Sequence, residues 1–99
     1  MPDEEVMKII KRELPYLTEH FGVKRIGLFG SAARGTVSNN SDVDILAEFE
    51  GHIGLKFMDF ADYLEQALGR KVDILTPAGL QSIRAKKIAQ DIKESVVYV

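Results

Sequence analysis

Apolar residues at Val6, Ile9, Ile10, Leu14, Leu17 and Phe21 recur every three to four positions, which predicts an amphipathic helix. Pro2-Asp3-Glu4-Glu5 supplies its start, with carboxylates at the positive end of the helix dipole. Pro15 interrupts the pattern and predicts a kink or a break into two short helices. Gly22 predicts a left-handed cap at the end. Lys24–Phe29 is short, apolar and bounded by Gly30, and reads as a buried strand. The Gly-, Ser- and Asn-rich stretch 30–41 reads as a loop with room for one helical turn. Val43–Phe49 predicts a second strand, and Gly51 and Gly54 flank a turn. Leu55, Met58, Ala61, Leu64 and Leu68 predict the buried face of a helix ended by Gly69. Lys71–Leu75 predicts a third strand, punctuated by Thr76-Pro77. Leu80, Ile83, Ile88 and Ile92 predict the buried stripe of one last helix, and Ser95–Val99 a short terminal strand.

The order α-β-(turn)-β-α-β-α-(β) places the chain in the α/β or α+β class, a sheet with helices packed on it. At 99 residues it reads as one domain spanning 1–99. Apolar and charged shares of 45% and 28% are those of a globular protein, which excludes a disordered chain and a bare coiled coil. Without cysteine there is no disulfide framework, thiol nucleophile or cysteine-zinc site. A net charge of −2 argues against a broad nucleic-acid footprint, so no direct nucleic-acid binding is expected. The charged N-terminal stretch is unlike a signal peptide, and no apolar run approaches the ~20 residues of a membrane span. A cytoplasmic protein without membrane contact is the expectation.

The chemistry begins with Val-Asp-Ile-Leu, which occurs at Val43–Leu46 and again at Val72–Leu75. Aspartate is depleted in strands, and an ionised carboxylate is costly to bury without partners. Asp42 and Asp44 are two residues apart on a predicted strand, so both side chains leave one face. Two carboxylates about 6–7 Å apart repel, and a shared divalent cation resolves the repulsion. Oxygen ligation suits Mg²⁺ or Mn²⁺. Asp73 adds a third carboxylate if its strand lies beside the second. The plainer alternative is that Asp42 caps the strand while Asp44 and Asp73 face water.

Gly30-Ser31 follows a strand. Glycine lets the backbone approach a ligand closely, and N–H groups at such a turn, with the Ser31 hydroxyl, suit phosphate oxygens. Arg34 is near enough in sequence to neutralise them. A plain loop with Ser31 as a helix cap is the alternative. His20 and His52 have no ligand partner at useful spacing and read as structural or exposed. Arg84, Lys86 and Lys87 read as a solvated helix face, and Tyr16, Tyr63 and Tyr98 as packing residues.

Taken together, Gly30-Ser31, ten residues, then Asp42-Val43-Asp44 resembles the GS-x10-DxD signature of the polymerase-β-type nucleotidyltransferase superfamily. The longer string, Leu28–Gly35 followed by Ser41–Leu46, resembles its prokaryotic minimal nucleotidyltransferase branch, with Ile45 where Leu is common. Asp73 matches the place of that family's third carboxylate. The resemblance covers essentially the whole chain. It implies a mixed sheet flanked by helices that presents Asp42, Asp44 and Asp73 at one rim. It also implies transfer of AMP from ATP by a two-metal mechanism with Mg²⁺, Mn²⁺ being the other candidate ion. On the same resemblance Asp42 and Asp44 hold both ions, Asp73 completes the acceptor-side one, and Gly30 and Ser31 position the triphosphate. Within the minimal branch it points to antitoxins that attach AMP to a tyrosine of a HEPN-domain ribonuclease toxin. Two rivals remain: a small-molecule nucleotidyltransferase resembling those that modify aminoglycosides, and a catalytically silent binding module.

Overall fold

The computed structural model describes residues 4–30 and 42–99. Helix α1 (Glu4–Phe21) opens on two glutamates and ends at Gly22, whose φ of 72° only glycine adopts easily. Its face of Val6, Ile10, Leu17 and Phe21 is buried as the spacing predicts, with Ile9 and Leu14 half-buried beside it. Of the kink or break expected at Pro15, the break does not occur, and α1 runs through it. Pro15 lies on the exposed side, where water can satisfy the carbonyl one turn earlier. Packing of the opposite face holds the helix together.

Strands β1 (Val23–Leu28) and β2 (Val43–Phe49) pair antiparallel, β2 and β3 (Val72–Leu75) pair parallel, and β4 (Val97–Tyr98) joins β1 antiparallel. The sheet order is β3-β2-β1-β4. This is a mixed four-stranded sheet with helices packed against it, as expected. An irregularity between Val23 and Arg25 shifts the β1 register, so Val23 and Ile26 both face inward. One sheet face, with Val43, Ile45 and Ala47, packs on α1 and on α2 (Lys56–Leu68).

The α2 face keeps Ala61, Leu64 and Leu68 of the expected stripe turned inward and departs from it at the start. Phe60 and Leu64 are buried, whereas Leu55 and Met58 are 93% and 72% exposed. Phe60 sits edge-on to both Phe21 and Phe49, and this aromatic packing sets the helix rotation. Gly69 closes α2 in left-handed geometry, its N–H donating to the Glu65 carbonyl.

The single last helix of the sequence reading is two helices, α3 (Pro77–Gln81) and α4 (Lys86–Ser95). Thr76 caps α3, its hydroxyl oxygen accepting from the Gly79 N–H at 3.1 Å, and Pro77 takes the first turn, where no N–H is needed. Of the predicted stripe only Leu80 is buried, Ile83 and Ile92 are half-buried, and Ile88 is 55% exposed. The terminal strand forms, two residues long.

Tyr63 donates its hydroxyl to the Glu13 carboxylate, tying α2 to α1. That bond, helped by Arg12, lowers the Glu13 pKa from its ordinary 4.5, and it raises the Tyr63 pKa above 10.0. A depressed carboxylate stabilises above 4.5 and loses that contribution as pH falls through the lowered value. A raised phenol stabilises below 10.0 and loses that contribution as pH climbs through the raised value. Tyr63→Phe should therefore lower the Tm at neutral pH, with the gap to wild type narrowing at both extremes. A gap independent of pH would show that ring packing, not the hydroxyl, is what the substitution disturbs.

Candidate active site

The second sheet face is built by alternation. With Val43, Ile45 and Ala47 turned to the core, Asp44, Leu46 and Glu48 of β2 face the other way. In β3, Asp73 and Leu75 do the same. The two Val-Asp-Ile-Leu segments pair residue for residue, Val43 with Val72 and Leu46 with Leu75, so Asp44 and Asp73 are direct register partners. Neighbouring strands run about 4.7–4.9 Å apart, so the two carboxylates leave one face side by side. Asp44 is half-buried and Asp73 exposed. Asp42 stands exposed one residue ahead of β2 rather than within it.

Backbone bonds fix this rim. The Phe29 N–H donates to the Asp44 carbonyl at 3.1 Å, and the Val43 N–H to the Lys71 carbonyl at 3.0 Å. The Val72 N–H donates to the Glu65 carboxylate at 3.1 Å, so a side chain of α2 holds the start of β3 and with it the height of Asp73. Sequence reasoning passed over Glu65, because its spacing marks only a helix surface.

Gly30 follows β1 with a φ of 61°, and a Cβ there would run into the Asp44 carboxylate. The sequence reading gave this glycine to phosphate approach. The structure adds a nearer reason, which is that the Asp44 side chain occupies the space a Cβ would need. Ser31 and Arg34 lie outside the described residues. Farther along the open face, Arg25 and Glu48 pair at 2.8 Å, and Arg25 lies 5.0 Å over the Tyr98 ring. Glu48 raises the Arg25 pKa above its ordinary value.

Among the described residues, no three acidic or histidine side chains converge on one point. A Mg²⁺ ion does not require three, because it keeps waters and binds through one or two carboxylates plus substrate phosphates. Asp44 and Asp73, all-oxygen donors side by side, fit that need.

A family model described as a nucleotidyltransferase domain matches residues 5–99. The chain belongs to that family. It is 42% identical, over 97% of its own length and 94% of the other's, to the protein adenylyltransferase MntA of Thermococcus cleftensis. A solved structure described as a candidate minimal nucleotidyltransferase superposes with a TM-score of 0.76 at 28% identity, covering 98% of this chain and 95% of that one. A toxin–antitoxin crystal structure with AMP-PNP shares the fold at a TM-score of 0.61 and 23% identity, over 99% of this chain and 72% of that one. The chain is thus a minimal nucleotidyltransferase of the polymerase-β-like superfamily, and an enzyme. Among the described residues no helix is long and apolar enough to cross a membrane.

Proposed function

We propose that this nucleotidyltransferase moves AMP from ATP to a tyrosine hydroxyl of a HEPN-domain toxin, and so acts as an antitoxin. The observation that carries the reading is the register pairing of Asp44 with Asp73 beside Gly30, on a chain similar over nearly its whole length to a protein adenylyltransferase. Asp42, Asp44 and Asp73 would hold Mg²⁺, which when bound would neutralise triphosphate charge and lower the pKa of the acceptor oxygen. Gly30 and Ser31 hold the β- and γ-phosphates, with Arg34 as a further cation. Asp73, the exposed partner, orients the acceptor hydroxyl and takes its proton as the oxygen attacks the α-phosphorus, while the bond from the α-phosphorus to the bridging oxygen breaks and pyrophosphate leaves. A free tyrosine has a pKa of about 10 and is almost wholly neutral at pH 7, so orientation and charge neutralisation at this rim carry the rate. An AMP group on the toxin adds bulk and negative charge that repel RNA.

The test is intact mass of the HEPN partner after incubation with ATP, Mg²⁺ and this chain. The expected gain is one or more AMP units, lost when the acceptor tyrosine is changed to Phe. Neutralisation that proceeds unchanged without nucleotide would overturn the reading and leave a silent binding module.

A further inference from the structure

Helix α4 buries no residue, although its sequence sets Ile88, Ala89 and Ile92 along one side. Ten residues is short of the ~12–15 at which isolated helices become even marginal in water. Its N-terminal end gives little help. Ala85 makes no side-chain cap, no acidic residue lies in the first turn, and Lys86 and Lys87 stand at the positive end of the dipole. Helix α1, by contrast, carries Glu4 and Glu5 in its first turn.

Between α3 and α4 lies an open groove of about 460 Å³. Leu80, Ile83 and Ala89 give it an apolar floor, and Arg84, Lys86 and Lys93 stand along it with no acidic residue in the lining. Among the described residues none of these three cations enters an ion pair. Helix α3 packs on β2, the strand that carries Asp44, and follows directly on β3, which carries Asp73.

We propose that this groove docks an acidic amphipathic helix of the protein that accepts AMP. The inference rests on the reading of the chain as a protein adenylyltransferase. Aliphatic side chains of such a helix would cover Ile83 and Ala89, and its carboxylates would face Arg84, Lys86 and Lys93 and offset the lysines at the α4 start. RNA satisfies only the second demand, since it offers no aliphatic groups to an apolar floor, and the chain's net charge is −2. Docking here leaves the carboxylate rim free for the acceptor hydroxyl.

The full chain and the purified HEPN partner supply the test, with affinity measured by calorimetry in the absence of nucleotide. Charge reversal at Arg84, Lys86 and Lys93 together should weaken binding about a hundredfold. That chain should keep at least the wild-type Tm, because these residues are exposed and Lys86 stands at the positive end of α4, while Ile88→Asp, on the side of α4 turned away from the groove, should leave the affinity unchanged. In the transfer assay KM for the partner should rise while KM for ATP stays. Carbodiimide should cross-link Lys86 or Lys93 to partner carboxylates. Unchanged affinity in the charge-reversed chain would overturn the proposal. So would loss of self-association alone, which marks a contact between copies, or loss of binding to a labelled RNA with the partner affinity intact. A wild-type chain that binds the partner but adds no AMP counts against the adenylyltransferase reading, while the affinities still decide the groove.

Discussion

Asp44→Asn should cut transfer to the partner at least about a hundredfold, on the scale of losing one preorganised charge-stabilising contact at a reacting centre. The amide has nearly the shape of the carboxylate, so it fits the space that Gly30 leaves. It ligates cations poorly, and the neighbouring Asp73 then lacks its like-charged companion. Like charges side by side on neighbouring strands cost about 0.2–1 kcal/mol. The variant without ligand should therefore melt at or above the wild-type temperature. Mg²⁺-ATP should raise the Tm of the wild-type chain, since a ligand that prefers the native state shifts unfolding, and that rise should vanish in the variant. Thermal scans with and without Mg²⁺-ATP, beside the mass assay, separate these effects. Full transfer by Asp44→Asn would remove the carboxylate pair from the chemistry.

Much of this rim is legible in the sequence because strand alternation is strict. Val43–Phe49 has the same bounds in the structure as in the pattern, and an aspartate inside each Val-Asp-Ile-Leu segment has to leave the core face if its neighbours enter it. That the two segments pair in register is a tertiary fact. The Lys71 carbonyl and the Glu65 carboxylate fix it, and neither carries a periodic signal. The helices are less legible for a physical reason. Spacing defines a stripe but not the rotation of a short helix, and the bulk of Phe60 against Phe21 and Phe49 outweighs Met58 of α2 and Leu55 just ahead of it. In the last segment, Ser82 caps α3 by donating to the Ala78 and Gly79 carbonyls, which divides a run whose apolar spacing alone looks continuous. Pro15 does not break α1, because a lost hydrogen bond on a wet face is cheap when the dry face is well packed.

Gly30→Val should be the most damaging single change at the rim, because it acts on both stability and chemistry. A β-branched residue at a φ of 61° is strained by about 1–3 kcal/mol, and its Cβ would push the Asp44 carboxylate from the position opposite Asp73. For a domain of this size that strain lowers the Tm by roughly 4–8 °C per kcal/mol, whereas Asp44→Asn is expected to cost none. Transfer should fall at least as far as in Asp44→Asn. Ser31→Ala removes one hydroxyl and leaves the backbone donors, so its loss should stay near the roughly 1.5–3 kcal/mol of a hydrogen bond to a charged group. Gly30→Ala, combined with Asp44→Ala in a double-mutant cycle, isolates the clash. With the carboxylate gone, the added methyl should cost less than it does in the wild-type background, by an amount that measures the contact. Additive costs would mean that the strain is in the backbone alone, and wild-type transfer by Gly30→Val would mean that the triphosphate and its carboxylates lie elsewhere.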